Sequence, residues 1–439
     1  MNQNLENYNP IMTKPPKHNF KAGDVLVLFG ELFNRGYANG LVTEAEKNGL
    51  LIVRATVGRR DENNDLRALT DEESANIPKP FINIPLEAGF DLEKNSDGLT
   101  PNDLLKGLKL SAWNSANIPI DFMNAAKKSA RERFENNTKK FILELEKIIS
   151  NQIQSGGHIH FAHLMAGGVP RTKIVMPLMN RVFKGTQDRY LASETFMNSS
   201  IGQYMLQNFN EVTAETLNIL IQQTADLRKK IASHKGSVSY VAYGYHGTAI
   251  VINNEYRWQS YAPYIQGWAK IELENYAKKW SKENVNVCVY NCPEILTNSS
   301  SIFKGVEIAV YNLMRALEKE IPQHPLTLKL KSECENVLNH KTDLQKIFSM
   351  IDDFIIFSEK MGTSDYKNWP QHSKPDQLAA TLNLSDAVIA LHKDENNLMT
   401  SVLSEVIFKS CGYIMLHDGF QPKNPVVWIG HDAVVKCIE

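Results

Sequence analysis

The chain has 439 residues, 43% hydrophobic and 22% charged, with 48 basic against 49 acidic side chains. That balance excludes a strongly basic nucleic-acid binder and a cationic membrane-surface protein, and leaves a globular protein of one large domain with an extension, or of two domains. No basic-then-apolar leader opens the chain and no apolar run approaches transmembrane length, so a soluble, cytoplasmic protein with no nucleic-acid or membrane partner is expected.

Residues 1–20 are polar and carry Pro10, Pro15 and Pro16, and read as an extended arm. "DVLVLFG" (24–30) is a continuous apolar run closed by glycine, the pattern of a strand buried on both faces. "YANGLVTEAEKNG" predicts a helix and "LLIVRATVG" (50–58) a second buried strand, which together make a βαβ unit. "PFINIPL" (80–86) predicts a third strand. A long helical region follows, most periodic over "DFMNAAKKSARERFENNTKKFILELEKIISNQI". "HIHFAHLMAGG" (158–168), "SVSYVAYGYHG" (237–247) and "VNVCVYNCP" (285–293) predict further strands. "TAETLNILIQQTADLRKKIASH" and "YIQGWAKIELENYAKKW" predict the helices between them.

This alternation predicts an α/β protein, a Rossmann-like doubly wound parallel sheet with helices on both faces. Beyond residue 330 the rhythm becomes mainly helical and ends in a terminal strand or hairpin, "NPVVWIGHDAVVKCI". The expected organisation is an arm (1–20), an α/β domain (21–330) and a mainly helical C-terminal extension (331–439). The five cysteines are odd in number, and Cys288 and Cys292 have no second pair or His nearby. Reduced thiols and no metal site are expected.

In such a sheet, ligands sit beyond the carboxyl ends of the strands, and four segments of interest lie there. The first, "FGELFNRGYANGL", carries Gly30, Gly36, Tyr37 and Gly40; glycines let a diphosphate approach the backbone at a helix N-terminus. Its spacing is not GxGxxG, and a turn without a ligand gives the same pattern. In the second, "VGRRDENN", Arg59 and Arg60 occupy the end of the second strand. An arginine there pairs with a 2′-phosphate where an acid would favour NAD, which points to NADPH over NADH; solvated surface arginines are the alternative.

The third is "YAPYIQGWAK" (261–270). A helical spacing of nine turns Tyr261 and Lys270 to opposite sides. Pro263 suits the first turn of the helix and leaves Tyr261 on the preceding loop, so the break makes a pairing possible. Aromatic packing is the alternative. The fourth, "NCPEILTNSSSIFKG", sets Pro293 four residues before Thr297 and a serine run. It could lay a polar loop over a cofactor, or be a loop with helix-capping residues.

Together these segments resemble the short-chain dehydrogenase/reductase superfamily, and within it the enoyl-thioester reductases. "FGELFNRGYANGL" resembles the glycine turn of enoyl-acyl-carrier-protein reductases. "YHG" (245–247) is similar to the Tyr-x-Gly that ends their fifth strand. "PEILTNSSSIFKG" is similar to their Pro-x-x-x-Thr segment and substrate loop. Tyr261, eight residues and then Lys270 resembles the long spacing of the trans-2-enoyl-CoA reductase branch, as does "VPRTK" (169–173). The superfamily's Asn-Asn-Ala-Gly is replaced by "LMAG", ending in Ala166 and Gly167. About six extra residues, "INNEYR" among them, separate "YHG" from Tyr261. Asp91, then Glu87, are the candidates for the adenine.

The resemblance implies reduction of the C=C bond of an enoyl-CoA or enoyl-carrier-protein thioester in fatty acid metabolism. It assigns Tyr261 as the hydroxyl that stabilises the forming enolate, with Tyr245 as a second hydroxyl and Tyr264 as the substitute. Lys270 would hold the nicotinamide ribose, Pro293 and Thr297 the nicotinamide end, and Gly30, Gly36, Tyr37, Gly40, Ala166 and Gly167 the remainder of the cofactor. It also implies a homodimer or homotetramer built through the helices beside the fifth and sixth strands. A 3-oxoacyl or other carbonyl reductase would need a Ser-Tyr-Lys set, for which only Ser237 and Ser239, inside the strand, are at hand. A non-catalytic nucleotide-binding protein of the same fold is the third reading.

Overall fold

The computed structural model describes residues 9–259, 265–298, 300, 304–361 and 370–438. Among the described residues twelve strands occur in chain order: β1 (Pro10–Ile11), β2 (Val25–Phe29), β3 (Leu51–Thr56), β4 (Arg59–Arg60), β5 (Leu66–Arg67), β6 (Phe81–Pro85), β7 (His158–His163), β8 (Ser237–Gly244), β9 (Thr248–Ile252), β10 (Glu255–Gln259), β11 (Asn286–Asn291) and β12 (Val426–Ile429). Eight of them form one sheet in the order β6-β3-β2-β7-β8-β11-β12-β1. Every pairing in it is parallel. The chain winds outward from β2 to β6, returns beside β2 as β7, and winds outward again. The switch point is therefore the β2/β7 crevice, as the doubly wound expectation requires.

The unbroken apolar run of β2 has a simple cause. Leu26 and Leu28 face a core with Leu41, Leu317 and Ile414, while Val25, Val27 and Phe29 face another with Phe134, Phe141 and Leu217. The first core belongs to the helices Tyr37–Lys47, Val306–Glu320 and Thr400–Asp418, and the second to Ile120–Ile148 and Thr216–Gln223. With both faces covered, no position on the strand is left for a polar residue.

One segment behaves differently from its sequence pattern. The arm is tied down at Pro10–Ile11, which adds to β12 as an edge strand. The terminal strand expected after residue 330 is β12, which extends the central sheet beside β11 and is followed by the short helix His431–Lys436. "INNEYR" proves to be part of the β9–β10 hairpin. Its turn residues Asn253 and Asn254 both take positive φ, which asparagine tolerates and a tight hairpin demands.

The five cysteines are buried and none is in a disulfide. Among the described residues no helix is long and apolar enough to cross a membrane, and no group of three or more His, Cys, Asp or Glu could hold a metal ion.

Candidate functional site

Beyond the carboxyl ends of β2, β7, β8 and β11 lies a cleft of about 260 Å³. A neighbouring cavity of about 200 Å³ shares Glu31, Phe33, Leu164 and Ala166 with it and reaches Arg171. Gly30 turns the chain with φ +122°, and a Cβ there would crowd Leu164 and Met165 at 3.1 Å. Gly36 (φ +153°) and Gly167 (φ +108°) border the cleft, and a Cβ on either would meet nothing within 4 Å. The helix Tyr37–Lys47 starts at this point with no side-chain cap and no acid in its first turn. Its first N–H groups are left for an anion, and the open space in front of both glycines fits the diphosphate of a dinucleotide.

Lys270 rises into the cleft from the helix Gly267–Lys282 and donates from Nζ to the Tyr243 carbonyl at 2.6 Å. Burial pushes its ammonium down to about 8. Gln266, one turn earlier, donates to the Gly167 carbonyl at 3.0 Å and ties this helix to the loop after β7.

Tyr245 is placed by a pinned turn. A Cβ on Gly244 would lie 2.1 Å from Asn291 Oδ1, and the His246 N–H donates to that same oxygen at 2.9 Å. Glu274 Oε1 closes the set, 3.0 Å from both His246 Nδ1 and Asn291 Nδ2. Held this way, the Tyr245 hydroxyl donates to Glu294 Oε1 at 3.2 Å. Glu294 is half-buried and borders two cavities, and loss of water pushes its carboxyl up to about 8 against the opposing Tyr245 hydrogen bond.

The Glu294 loop is anchored from the glycine turn: Tyr37 stacks on Tyr243 and donates its hydroxyl to the Pro293 carbonyl at 2.5 Å. Thr297 borders the cleft, and its N–H donates to Ser300 Oγ at 3.1 Å.

Gly36, Tyr37, Ala166, Gly167, Tyr245, Lys270 and Thr297 thus meet at one cleft. Gly40 lies elsewhere: a Cβ there would stand 1.8 Å from the Phe408 carbonyl oxygen, so it sets the contact with the helix Thr400–Asp418. Tyr261 and Tyr264 fall outside the described residues. Ser237 and Ser239 are hydrogen-bonded to His158 and His160 inside the sheet, away from the cleft. Asp91, proposed for the adenine, is buried and takes the Arg171 guanidinium on both oxygens at 2.9 and 3.0 Å; Glu87 takes Arg171 and Arg60. Sequence reading passed over Glu294, Gln266 and Glu31. Glu294 lies between Pro293 and Thr297 in the fourth segment, but no local pattern singles it out.

The enoyl-acyl carrier protein reductase FabMG family matches residues 7–438. A structure described as apo FabMG, a novel type of enoyl-acyl carrier protein reductase, superposes with a TM-score of 0.92 at 40% identity over 98% of both chains. A second, described as NADH-bound FabMG, superposes with a TM-score of 0.76 at 34% identity, again over 98% of both chains. No curated protein matches.

The NADPH expectation is overturned by that NADH-bound relative, and the geometry supplies a reason. Arg59 is closed on Glu31 by hydrogen bonds of 2.8 and 2.9 Å, and Arg60 on Glu87 at 2.8 Å. Neither guanidinium is left for a 2′-phosphate, and Glu31 would repel one. With its family and its cleft both in view, the chain belongs to the FabMG enoyl-acyl carrier protein reductases, a family of oxidoreductases.

Proposed function

We propose that this protein reduces the C=C bond of an enoyl thioester with NADH, by chemistry of the short-chain dehydrogenase/reductase type. The observation that carries the reading is the convergence of Lys270, Tyr245 and the uncapped helix N-terminus on one cleft at the sheet's switch point. Bound NADH supplies the hydride to the β-carbon.

The chain's own residues do the rest. Gly36, Gly167 and the N-terminus of Tyr37–Lys47 hold the diphosphate. Lys270 would hold the nicotinamide ribose, and Pro293 and Thr297 would hold the nicotinamide end. Charge develops on the thioester oxygen, where a tyrosine hydroxyl stabilises it by a hydrogen bond made strongest in the transition state. Tyr261 is assigned to that oxygen, and Tyr245 is the second hydroxyl at the reacting carbons. For a ketone reductase reading, the two serines at hand, Ser237 and Ser239, are held by histidines within the sheet.

The test is turnover of NADH with a trans-2-enoyl thioester, as the carrier-protein and the CoA form, against acetoacetyl-CoA. Enoyl reduction without ketone reduction is expected. NADH binding with neither reaction would favour a nucleotide-binding protein that keeps the fold alone.

A further inference from the structure

We propose that Glu294 is the acid that resupplies Tyr245, so that the two side chains together deliver the proton consumed at the α-carbon. This rests on the enoyl-reductase reading above and adds a positioning and proton-supplying residue to it.

The geometry comes first. Tyr245 and Glu294 both border the cofactor cleft, and both also border a further cavity of about 60 Å³ behind it. Their 3.2 Å hydrogen bond therefore joins two residues that line both spaces. The far chamber is lined largely by apolar surface, with Gln259, Gln377 and Lys304 among its polar groups. The buried Oε1 atoms of Gln259 and Gln377 have no hydrogen-bond partner among the described residues. A proton reaching Glu294 can come from that side while the cleft side is closed by substrate and cofactor.

The chemistry balances. Hydride adds to the β-carbon with its electron pair, and the π electrons move onto the thioester as an enolate. The α-carbon then takes a proton as the Tyr245 O–H bond breaks. The Glu294 O–H bond breaks next, returning a proton to the tyrosine oxygen across the same contact. The remaining carboxylate is reprotonated from the far chamber.

Such a donor must carry its proton near neutral pH. Glu294 does, because burial holds its carboxyl at about 8, with Glu307 adding to the upward push and the Tyr245 hydrogen bond opposing it. The other ionisable groups around it are Lys304 at the far chamber, Lys270, Glu31 and Arg35 at the cleft, and Tyr37 under Pro293. Lys270 matters most for the test, since its own ammonium also titrates at about 8.

The experiment compares the unmodified protein with E294Q and E294D. It measures kcat against pH, NADH affinity by fluorescence, thermal unfolding, and the infrared band of a protonated carboxyl. The unmodified protein should lose turnover as pH rises through about 8. E294Q should keep NADH affinity within about twofold, lose about 10²-fold in kcat, and lose both that pH limb and one carboxyl band. E294D, which retains an acid, should recover part of the rate and the limb, and it carries the test if E294Q does not fold.

E294Q with normal kcat and the same limb overturns the proposal and gives the limb to Lys270. So does E294D no faster than a folded E294Q. An unmodified protein that turns over no enoyl thioester instead overturns the enoyl-reductase reading, and this inference with it.

Discussion

The Glu31 carboxylate and the Arg59 guanidinium form two parallel hydrogen bonds, of 2.8 and 2.9 Å, where the end of β3 meets the cleft. Thr56 adds a third at 2.9 Å. Burial opposes the charged form of Glu31, but the Arg59 and Thr56 hydrogen bonds outweigh it and hold the carboxyl below its ordinary range. The site thus presents a neutralised arginine and a firmly ionised acid. NADH should bind more tightly than NADPH. Glu31→Gln removes the repulsion and loosens Arg59. It should raise NADPH affinity relative to NADH by about tenfold, the scale of one charge-assisted contact. Fluorescence titration of both nucleotides checks this; an unchanged ratio would remove Glu31 from cofactor choice.

Lys270 is a different case, because it meets the cofactor in the ground state as well as during reaction. Lys270→Met should weaken NADH binding and lower turnover together, each by about tenfold or more, whereas Tyr261→Phe should spare NADH affinity and lower kcat by about 10²-fold. Steady-state kinetics beside direct NADH titration separates the two patterns. Tyr264→Phe should be mild in both.

Gly40 looks like part of a nucleotide turn and serves as a helix contact. Its missing Cβ admits the Phe408 carbonyl, and Gly412 meets it from the other helix, where a Cβ would lie 2.1 Å from the Gly40 carbonyl carbon. Backbone cannot yield there as a flexible side chain can. Gly40→Ala should cost about 1–3 kcal/mol of stability while leaving the NADH affinity of the folded fraction unchanged. Denaturant unfolding and NADH titration on the same sample check both halves.

Acid should destabilise the fold through its buried histidines. Burial pushes His158 down to about 2, and His160 and His163 to about 3. Unfolded, each returns to about 6.5. Because the folded values are depressed, the unfolded chain binds more protons below that point. The stability is complete above about 6.5 and is lost as pH falls. At about pH 5 each histidine contributes a loss of about 2 kcal/mol. Urea midpoints measured between neutral pH and about pH 5 should fall, and the fall should be smaller in His160→Gln.

The sheet was legible in the sequence because strands buried on both faces are written as unbroken apolar runs, as in "VLVLF" and "VCVYN". β1 was not: two residues of a proline-rich arm become a strand only because β12, more than four hundred positions away, offers them an edge. The cleft residues were legible where glycine or strand-end position betrayed them, at Gly36, Gly167 and Tyr245. Arg59 and Arg60 were found but misread. Their partners Glu31 and Glu87 are 28 and 27 positions away, and no local pattern shows that an arginine is already paired. Glu294 was hidden for the same reason, since burial and a Tyr245 hydroxyl, not its neighbours in sequence, make it an acid worth noticing.

Hydride transfer from NADH into an enoyl thioester is the centre of the account, and isotopic labelling tests it most directly. The protein is incubated with NADH deuterated at the transferable position and a trans-2-enoyl thioester, and the saturated product is examined by mass spectrometry and NMR. One deuterium at the β-carbon, with solvent hydrogen at the α-carbon, is the predicted result. Saturated product without deuterium at the β-carbon, or deuterium appearing in a 3-hydroxyacyl product from a ketone substrate instead, would contradict it.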